Sequence, residues 1–168
     1  MAVNKEEVVK TAIQLEMDGE KFYLDTASKT SSVLAKGMFE SLAKDEQRHI
    51  EWIENFSPGG NTAESANREL YGRLSHIFAE VPEDTRMSAA LSEDDIKAID
   101  TAIGMEEKSL EAYEKWANEA DSEDVRDLCN ALAGQERFHR QVLENTKEYL
   151  DRTADWFMQE EQWNFEGA

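Results

Sequence analysis

The sequence predicts an all-α protein: a four-helix bundle built from two copies of one helical hairpin, joined by a long crossover. Three observations predict this fold. The second half of the chain repeats motifs of the first half at a displacement of 90 residues. Apolar residues recur at three- and four-residue steps, the spacing that places them on one face of an α-helix. The composition, with 33% charged residues and only two prolines, is typical of soluble helical proteins.

The repeat covers both helices of each hairpin. In the first helix of each hairpin, Ala12-Ile13-x-x-Glu16 and Tyr23 recur as Ala102-Ile103-x-x-Glu106 and Tyr113. In the second, Leu42-Ala43-x-x-Glu46-x-x-His49 recurs as Leu132-Ala133-x-x-Glu136-x-x-His139. Two copies at one fixed displacement indicate a duplicated hairpin rather than a longer array of repeats.

The bundle helices begin where polar residues can cap them. We place these helices at residues 4–29, 32–56, 93–119 and 122–150. The candidate N-caps, in the same order, are Asn4, Ser31 or Ser32, Ser92, and Asp121 or Ser122. The second helix should end at Ser57-Pro58-Gly59-Gly60, because proline and glycine interrupt helices.

The bundle is expected to occupy residues 1–150, with a crossover at 58–91. A helical pattern near 63–80 suits a connection that runs the length of the bundle. Residues 151–168 are expected to form an aromatic tail that packs on the bundle or on a partner subunit. The tail contains Trp156, Phe157, Trp163 and Phe165. A homodimer is the simplest closed assembly that would cover such apolar surface.

Glutamate and histidine interrupt the apolar stripes at positions that face the core. On the second helix, positions 39, 42, 46, 49, 53 and 56 form one series of three- and four-residue steps. In an antiparallel hairpin, residues equidistant from the turn lie at the same height, and the midpoint of 16 and 46 is 31, inside the first turn. The midpoint of 106 and 136 is 121, inside the second turn. Six side chains should therefore converge: Glu16, Glu46, His49, Glu106, Glu136 and His139.

Four buried carboxylates need compensating positive charge. Each would cost roughly several kcal/mol in desolvation, and together they would repel one another. Two divalent cations would cancel the four charges, and neutral imidazoles would add nitrogen ligands, a mixture that suits iron, manganese, cobalt or zinc. One Glu-x-x-His could be a solvent-facing accident, but two copies in register favour a two-metal site. We expect no catalytic residue beyond these ligands and no organic cofactor.

At these residues the chain resembles the rubrerythrin branch of the ferritin-like superfamily, over residues 4–150. Its members carry one Glu on each of two helices and Glu-x-x-His on each of the other two. The resemblance implies a ferritin-like bundle with two iron ions, manganese or zinc being possible instead. It also implies a di-iron oxidoreductase, of the peroxide reductase or ferroxidase type, that acts on peroxide or dioxygen.

The resemblance suggests further residues around the metals. One such residue is Asp45, in the run Asp45-Glu46-Gln47-Arg48-His49. This run is similar to one in larger di-iron oxygenases, where the Asp contacts a ligand histidine. The similarity implies the same role for Asp45; the alternative is a solvent-exposed carboxylate. Tyr23 and Tyr113 lie two helical turns from Glu16 and Glu106 and could donate a hydrogen bond to a ligand carboxylate, or else be buried tyrosines that bond a water molecule. Small residues at Gly19 and Ser109 leave room for an oxidant, or serve close helix packing.

Two departures from the family leave alternatives open. First, Ser109 stands where rubrerythrins proper carry a further Glu. Second, the rubredoxin-like domain with its Cys-x-x-Cys pairs is missing. Electrons are therefore expected to come from an external donor such as a rubredoxin-like protein. The alternatives are a non-enzymatic protein that binds or stores iron, and a helical module with structural zinc.

Charge and composition exclude several functions. The net charge of −19 would repel nucleic acid and anionic lipid surfaces. No apolar run exceeds three residues, so no spanning helix is expected. Cys129 is the single cysteine, which allows neither an internal disulfide nor a four-cysteine iron centre. We expect a cytoplasmic protein without nucleic-acid or membrane partners.

Overall fold

The structure, a computed structural model, describes residues 5–55, 63–82 and 91–151. Within these ranges the chain forms five α-helices and no β-strand: α1 (Lys5–Lys29), α2 (Val33–Glu54), α3 (Ala63–Glu80), α4 (Glu93–Glu119) and α5 (Glu123–Asp151). The predicted all-α fold class is confirmed, and the predicted helix bounds differ from these by at most two residues. No helix in the described ranges has the length and apolar character needed to cross a membrane.

Some predicted features lie outside the described residues. These are the N-cap Asn4, the turn at Ser57-Pro58-Gly59-Gly60 and the four aromatic residues of the tail. The other predicted N-cap residues lie in the ranges that the structure describes. Ser32 accepts a hydrogen bond from the backbone N–H of Ala35 at the start of α2. At the start of α4, the Ser92 hydroxyl accepts from the backbone N–H of Asp95, whose carboxylate accepts from the backbone N–H of Ser92. Such reciprocal caps satisfy N–H groups that the first helical turn leaves without partners.

The helices pack as two hairpins side by side. α1 packs along α2 and α4 along α5, while α1 also contacts α4 and α2 contacts α5. The crossover helix α3 lies against α2 and α5 and buries Leu70 and Leu74 in the main core. The bundle therefore has one side formed by α1 and α4, and an opposite side on which α3 covers α2 and α5.

Gly37 marks a close approach of α2 to α3. A Cβ atom at Gly37 would lie 2.8 Å from Cγ2 of Ile77, whereas a Cβ atom at Gly104 of α4 would have nothing within 4 Å. We expect Gly104→Ala to raise the free energy of unfolding by about 1 kcal/mol, because alanine is the better helix former. Gly37→Ala should lower it by about 1 kcal/mol or more, because Cγ2 sits on the branched carbon of Ile77 and moves only if χ1 or the helix shifts. Denaturant unfolding of both variants measures the difference, and equal stabilisation would contradict the close approach.

Candidate metal centre

The six residues predicted to converge are brought together in the bundle interior. α1 and α4 each contribute one glutamate, and α2 and α5 each contribute a glutamate and a histidine. The side chains are Glu16, Glu46, His49, Glu106, Glu136 and His139, and each residue is at most 3% exposed. The hairpin turns at 30–32 and 120–122 set this convergence, because they place the glutamates of each hairpin at equal distances from the turn.

The six side chains form two overlapping groups of four. One group is Glu16, Glu46, His49 and Glu136, and the other is Glu46, Glu106, Glu136 and His139. Each residue offers one ligand atom, and within each group these atoms lie within 4.8 Å of one another. Glu46 and Glu136 belong to both groups. Two ions held by these groups would therefore share Glu46 and Glu136.

Both histidines turn the same ring nitrogen toward the carboxylates. His49 Nδ1 lies 3.0 Å from Glu16 Oε2 and 3.1 Å from Glu46 Oε2. His139 Nδ1 lies 3.3 Å from Glu46 Oε1 and 3.6 Å from Glu106 Oε1. The two rings stack at a centroid distance of 5.1 Å and an interplanar angle of 13°. Nδ1 is thus the atom that either ring could offer to an ion.

The other ring nitrogen of each histidine faces a residue of the opposite hairpin. His139 Nε2 lies 3.5 Å from Asp45 Oδ2, and His49 Nε2 lies 3.3 Å from Gln135 Oε1. Asp45 therefore does contact a histidine of the site, but the histidine of the other hairpin. Gln135 is absent from the predicted site, although the 90-residue displacement from Asp45 marks its position.

The crossover helix α3 holds these two contacts in place. Arg73 donates to Asp45 Oδ1, and Arg48 Nη2 lies 3.0 Å from the same oxygen. Gln135 Nε2 donates to Asn67 Oδ1 at 2.7 Å. Neither α3 residue was predicted, since only the apolar face of the crossover carried a periodic signal. These partners fix how Asp45 and Gln135 face the histidine rings.

The two tyrosines also cross between hairpins. Tyr23 OH donates to Glu106 Oε1, and Tyr113 OH donates to Glu16 Oε1. Burial, reinforced by the carboxylate charges, raises the pKa of both tyrosines well above the usual value, so that both remain neutral donors. Each tyrosine thereby orients the glutamate contributed by the first helix of the other hairpin.

The carboxylates and histidines strongly perturb one another. Burial, together with the charge of Glu16, raises the pKa of Glu46 to about 7, and burial raises that of Glu136 well above its usual range. The desolvation of His49 is outweighed by the neighbouring carboxylates, which raise its pKa to about 10. Glu46, Glu136 and His49 by themselves therefore favour bound protons. In contrast, although burial opposes it, His49 lowers the pKa of Glu16 to about 2, so that Glu16 favours the ionised form.

The donor set fits a pair of divalent ions. Glu136 Oε1 and His139 Nδ1 are buried and have no hydrogen-bond partner among the described residues. Four carboxylates and two imidazoles match the ligand preferences of iron, manganese, cobalt and zinc. One ion could be held by Glu16 and His49, and the other by Glu106 and His139, with Glu46 and Glu136 shared between them.

A small cavity adjoins the carboxylates on the side formed by α1 and α4. Its volume is about 20 Å³, enough for roughly one water-sized molecule. Gly19, Ser109, Leu15 and Met105 line it together with the carboxylate residues and Tyr23. A Cβ atom at Gly19 would lie 3.5 Å from Glu46 Cδ, so the missing side chain leaves open space directly beside a shared carboxylate.

A comparison with known families matches this chain to one of them. The model of the rubrerythrin family matches residues 7–147, which include all six residues of the site. No curated protein and no solved structure matches the chain. Because the match covers most of the sequence, the chain belongs to the rubrerythrin family of di-iron carboxylate proteins.

Proposed function

We propose that the protein is a rubrerythrin-like di-iron oxidoreductase in which peroxide or dioxygen oxidises bound Fe(II). The observation that carries the proposal is the pair of four-residue groups that share Glu46 and Glu136. The ligands would be the six residues of the site, with iron as the metal because the family binds a di-iron centre. When bound, two ferrous ions would supply the two electrons that, with two protons from solvent, reduce one hydrogen peroxide to two water molecules and leave two ferric ions.

The chain's own residues orient the ligands and restrict access to them. Tyr23 and Tyr113 hold the unshared glutamates, while Asp45 and Gln135 hold the histidine rings. The cavity beside Gly19 is too small for a large substrate, which supports a small oxidant. A donor outside these 168 residues, such as a rubredoxin-like protein, would return the electrons, because the 168 residues include one cysteine and therefore no Cys-x-x-Cys pair.

The direct test is oxidation of the iron-loaded protein. Protein loaded anaerobically with two equivalents of Fe(II) is mixed with one equivalent of hydrogen peroxide, and the remaining ferrous iron is measured with a chelator that binds only Fe(II). We expect all the ferrous iron to be lost, at one peroxide per two irons. A parallel sample mixed with air-saturated buffer measures the reaction with dioxygen.

Other results would favour the alternatives. Uptake of iron far above two ions per chain in air would favour storage. Tight zinc binding together with ferrous iron that survives both oxidants would favour a structural metal, and would contradict the proposed redox activity.

The proposed ligation also predicts how stabilisation by metal depends on pH. The folded-state pKa of Glu46, about 7, lies above the ordinary 4.5, and that of His49, about 10, lies above 6.5. Protons bound at these groups therefore stabilise the metal-free protein at low pH, and this stability is lost as the pH rises through those folded-state values. An ion must displace the same protons. The increase in Tm caused by two equivalents of Zn²⁺ should therefore be larger near pH 8.5 than near pH 6, whereas an increase that does not vary with pH would contradict ligation by these groups.

A further inference from the structure

The two candidate metal positions differ in the group that lies behind each histidine. We propose that the position formed by Glu106 and His139 binds divalent ions more tightly than the position formed by Glu16 and His49, and fills first. The cause is a carboxylate, Asp45, behind one ring and a neutral amide behind the other. This inference rests on the proposed ligand set and adds an order of affinity for its two metal positions.

Asp45 is a buried carboxylate with one oxygen reserved for His139. Arg48 and Arg73, from α2 and α3, both contact Oδ1. Oδ2 is buried, has no hydrogen-bond partner among the described residues, and lies 3.5 Å from His139 Nε2. The two guanidinium groups on Oδ1 orient the carboxylate and leave Oδ2 facing the ring. Its negative charge therefore faces the N–H that His139 would present on Nε2 once Nδ1 binds an ion.

Gln135 occupies the equivalent place behind His49 without a charge. Its amide nitrogen donates to Asn67 Oδ1 at 2.7 Å, which turns its carbonyl oxygen toward the ring. That oxygen lies 3.3 Å from His49 Nε2. His49 thus has an acceptor of the correct polarity, but a neutral one.

This difference should change the strength of the two imidazoles as ligands. An imidazole that donates its second N–H to a carboxylate is the more basic metal ligand, and removing such a partner typically lowers metal affinity by about 10- to 100-fold. The other candidate ligands match across the repeat, since each position has one unshared glutamate bonded by a tyrosine and the same two shared glutamates. We expect the two positions to differ in affinity by about 10-fold or more.

The test must locate the first ion, because repulsion between two cations would make even a symmetric site fill in two steps. Native protein with one equivalent of Zn²⁺ is crystallised, and the anomalous signal at the zinc edge is measured at both positions. We expect several-fold higher occupancy beside His139. In Gln135→Glu, which places a carboxylate behind His49 and leaves the arginines undisturbed, the two occupancies should become similar.

Asp45→Asn provides a second measurement in solution. By calorimetry, its first Zn²⁺ should bind about 10-fold or more weakly than that of the native protein. Equal occupancies in the native crystal, or a preference for the His49 position, would overturn the ranking while leaving the metal site intact. Zinc at neither position would overturn the proposed ligand set itself.

Discussion

Replacing Glu46 with glutamine will abolish paired metal binding. Glu46 Oε2 lies 3.1 Å from His49 Nδ1, and Oε1 lies 3.3 Å from His139 Nδ1, so the two oxygens reach both histidines. A glutamine of the same shape offers one neutral oxygen and an NH₂ group that cannot bind a cation. Metal content, measured by elemental analysis after loading and desalting, should fall from two ions per chain to one or none.

The same substitution should leave the metal-free protein at least as stable as the native chain. A pKa of Glu46 of about 7 in the folded protein, against 4.5 for the ordinary group, means that ionising this buried side chain near pH 8 costs on the order of 3 kcal/mol. Because the pKa is raised, this cost is absent below pH 4.5 and is complete above pH 7. Glutamine carries no charge and avoids the cost. Thermal unfolding at pH 8 without metal should therefore show an equal or higher Tm for Glu46→Gln.

A matched control is available on the outside of the bundle. Glu107 follows the candidate ligand Glu106, and its side chain is 58% exposed and 3.8 Å from Arg140. Glu107→Gln removes the same charge from the protein and should keep two ions per chain, since exposed ion pairs contribute little. If metal-free Glu46→Gln were much less stable than the native chain, or still bound two ions, Glu46 would be a structural residue and not a shared ligand.

The convergence of the six site residues could be predicted because the signal is local and periodic. A glutamate or histidine that falls within an apolar stripe lies on the face of its helix that packs in the core. The 90-residue repeat places such residues at equivalent positions in both hairpins. Position along the hairpin then sets the height of each side chain. None of these steps requires knowledge of how the hairpins pack together.

The partners of these residues could not be predicted in the same way. Tyr23 lies on the same helix as Glu16 but bonds Glu106, and Asp45 lies next to Glu46 but contacts His139. Both contacts depend on α1 packing against α4 and α2 against α5, which periodicity within one helix does not specify. The hydrogen bond from Arg73 to Asp45 could not be predicted for the same reason, because it depends on the crossover helix packing against α2.

Phe39→Ala is expected to cause the largest loss of stability while leaving two ions bound. Phe39 is 0% exposed and stacks on Tyr23 at a ring centroid distance of 6.0 Å. Removing a buried phenylalanine side chain costs about 3–5 kcal/mol, since both the apolar contacts and the packing are lost. For a chain of this size, the Tm should fall by roughly 10 °C or more. The six candidate ligands are unchanged, so elemental analysis should still give two ions per chain.

The residue equivalent to Phe39 in the second hairpin provides the control. Cys129 stands 90 residues later and is also 0% exposed, but the aromatic neighbour of Tyr113 is Trp116, at 5.6 Å. Tyr23 thus has aromatic neighbours from both α1 (Phe22) and α2 (Phe39), whereas Trp116 lies on the same helix, α4, as Tyr113. Cys129→Ala removes a single buried sulfur and should cost only about 1 kcal/mol. Equal losses for the two variants would show that the hairpins pack alike. Loss of metal in Phe39→Ala would show that the packing around Tyr23 also controls the position of the candidate ligand Glu106.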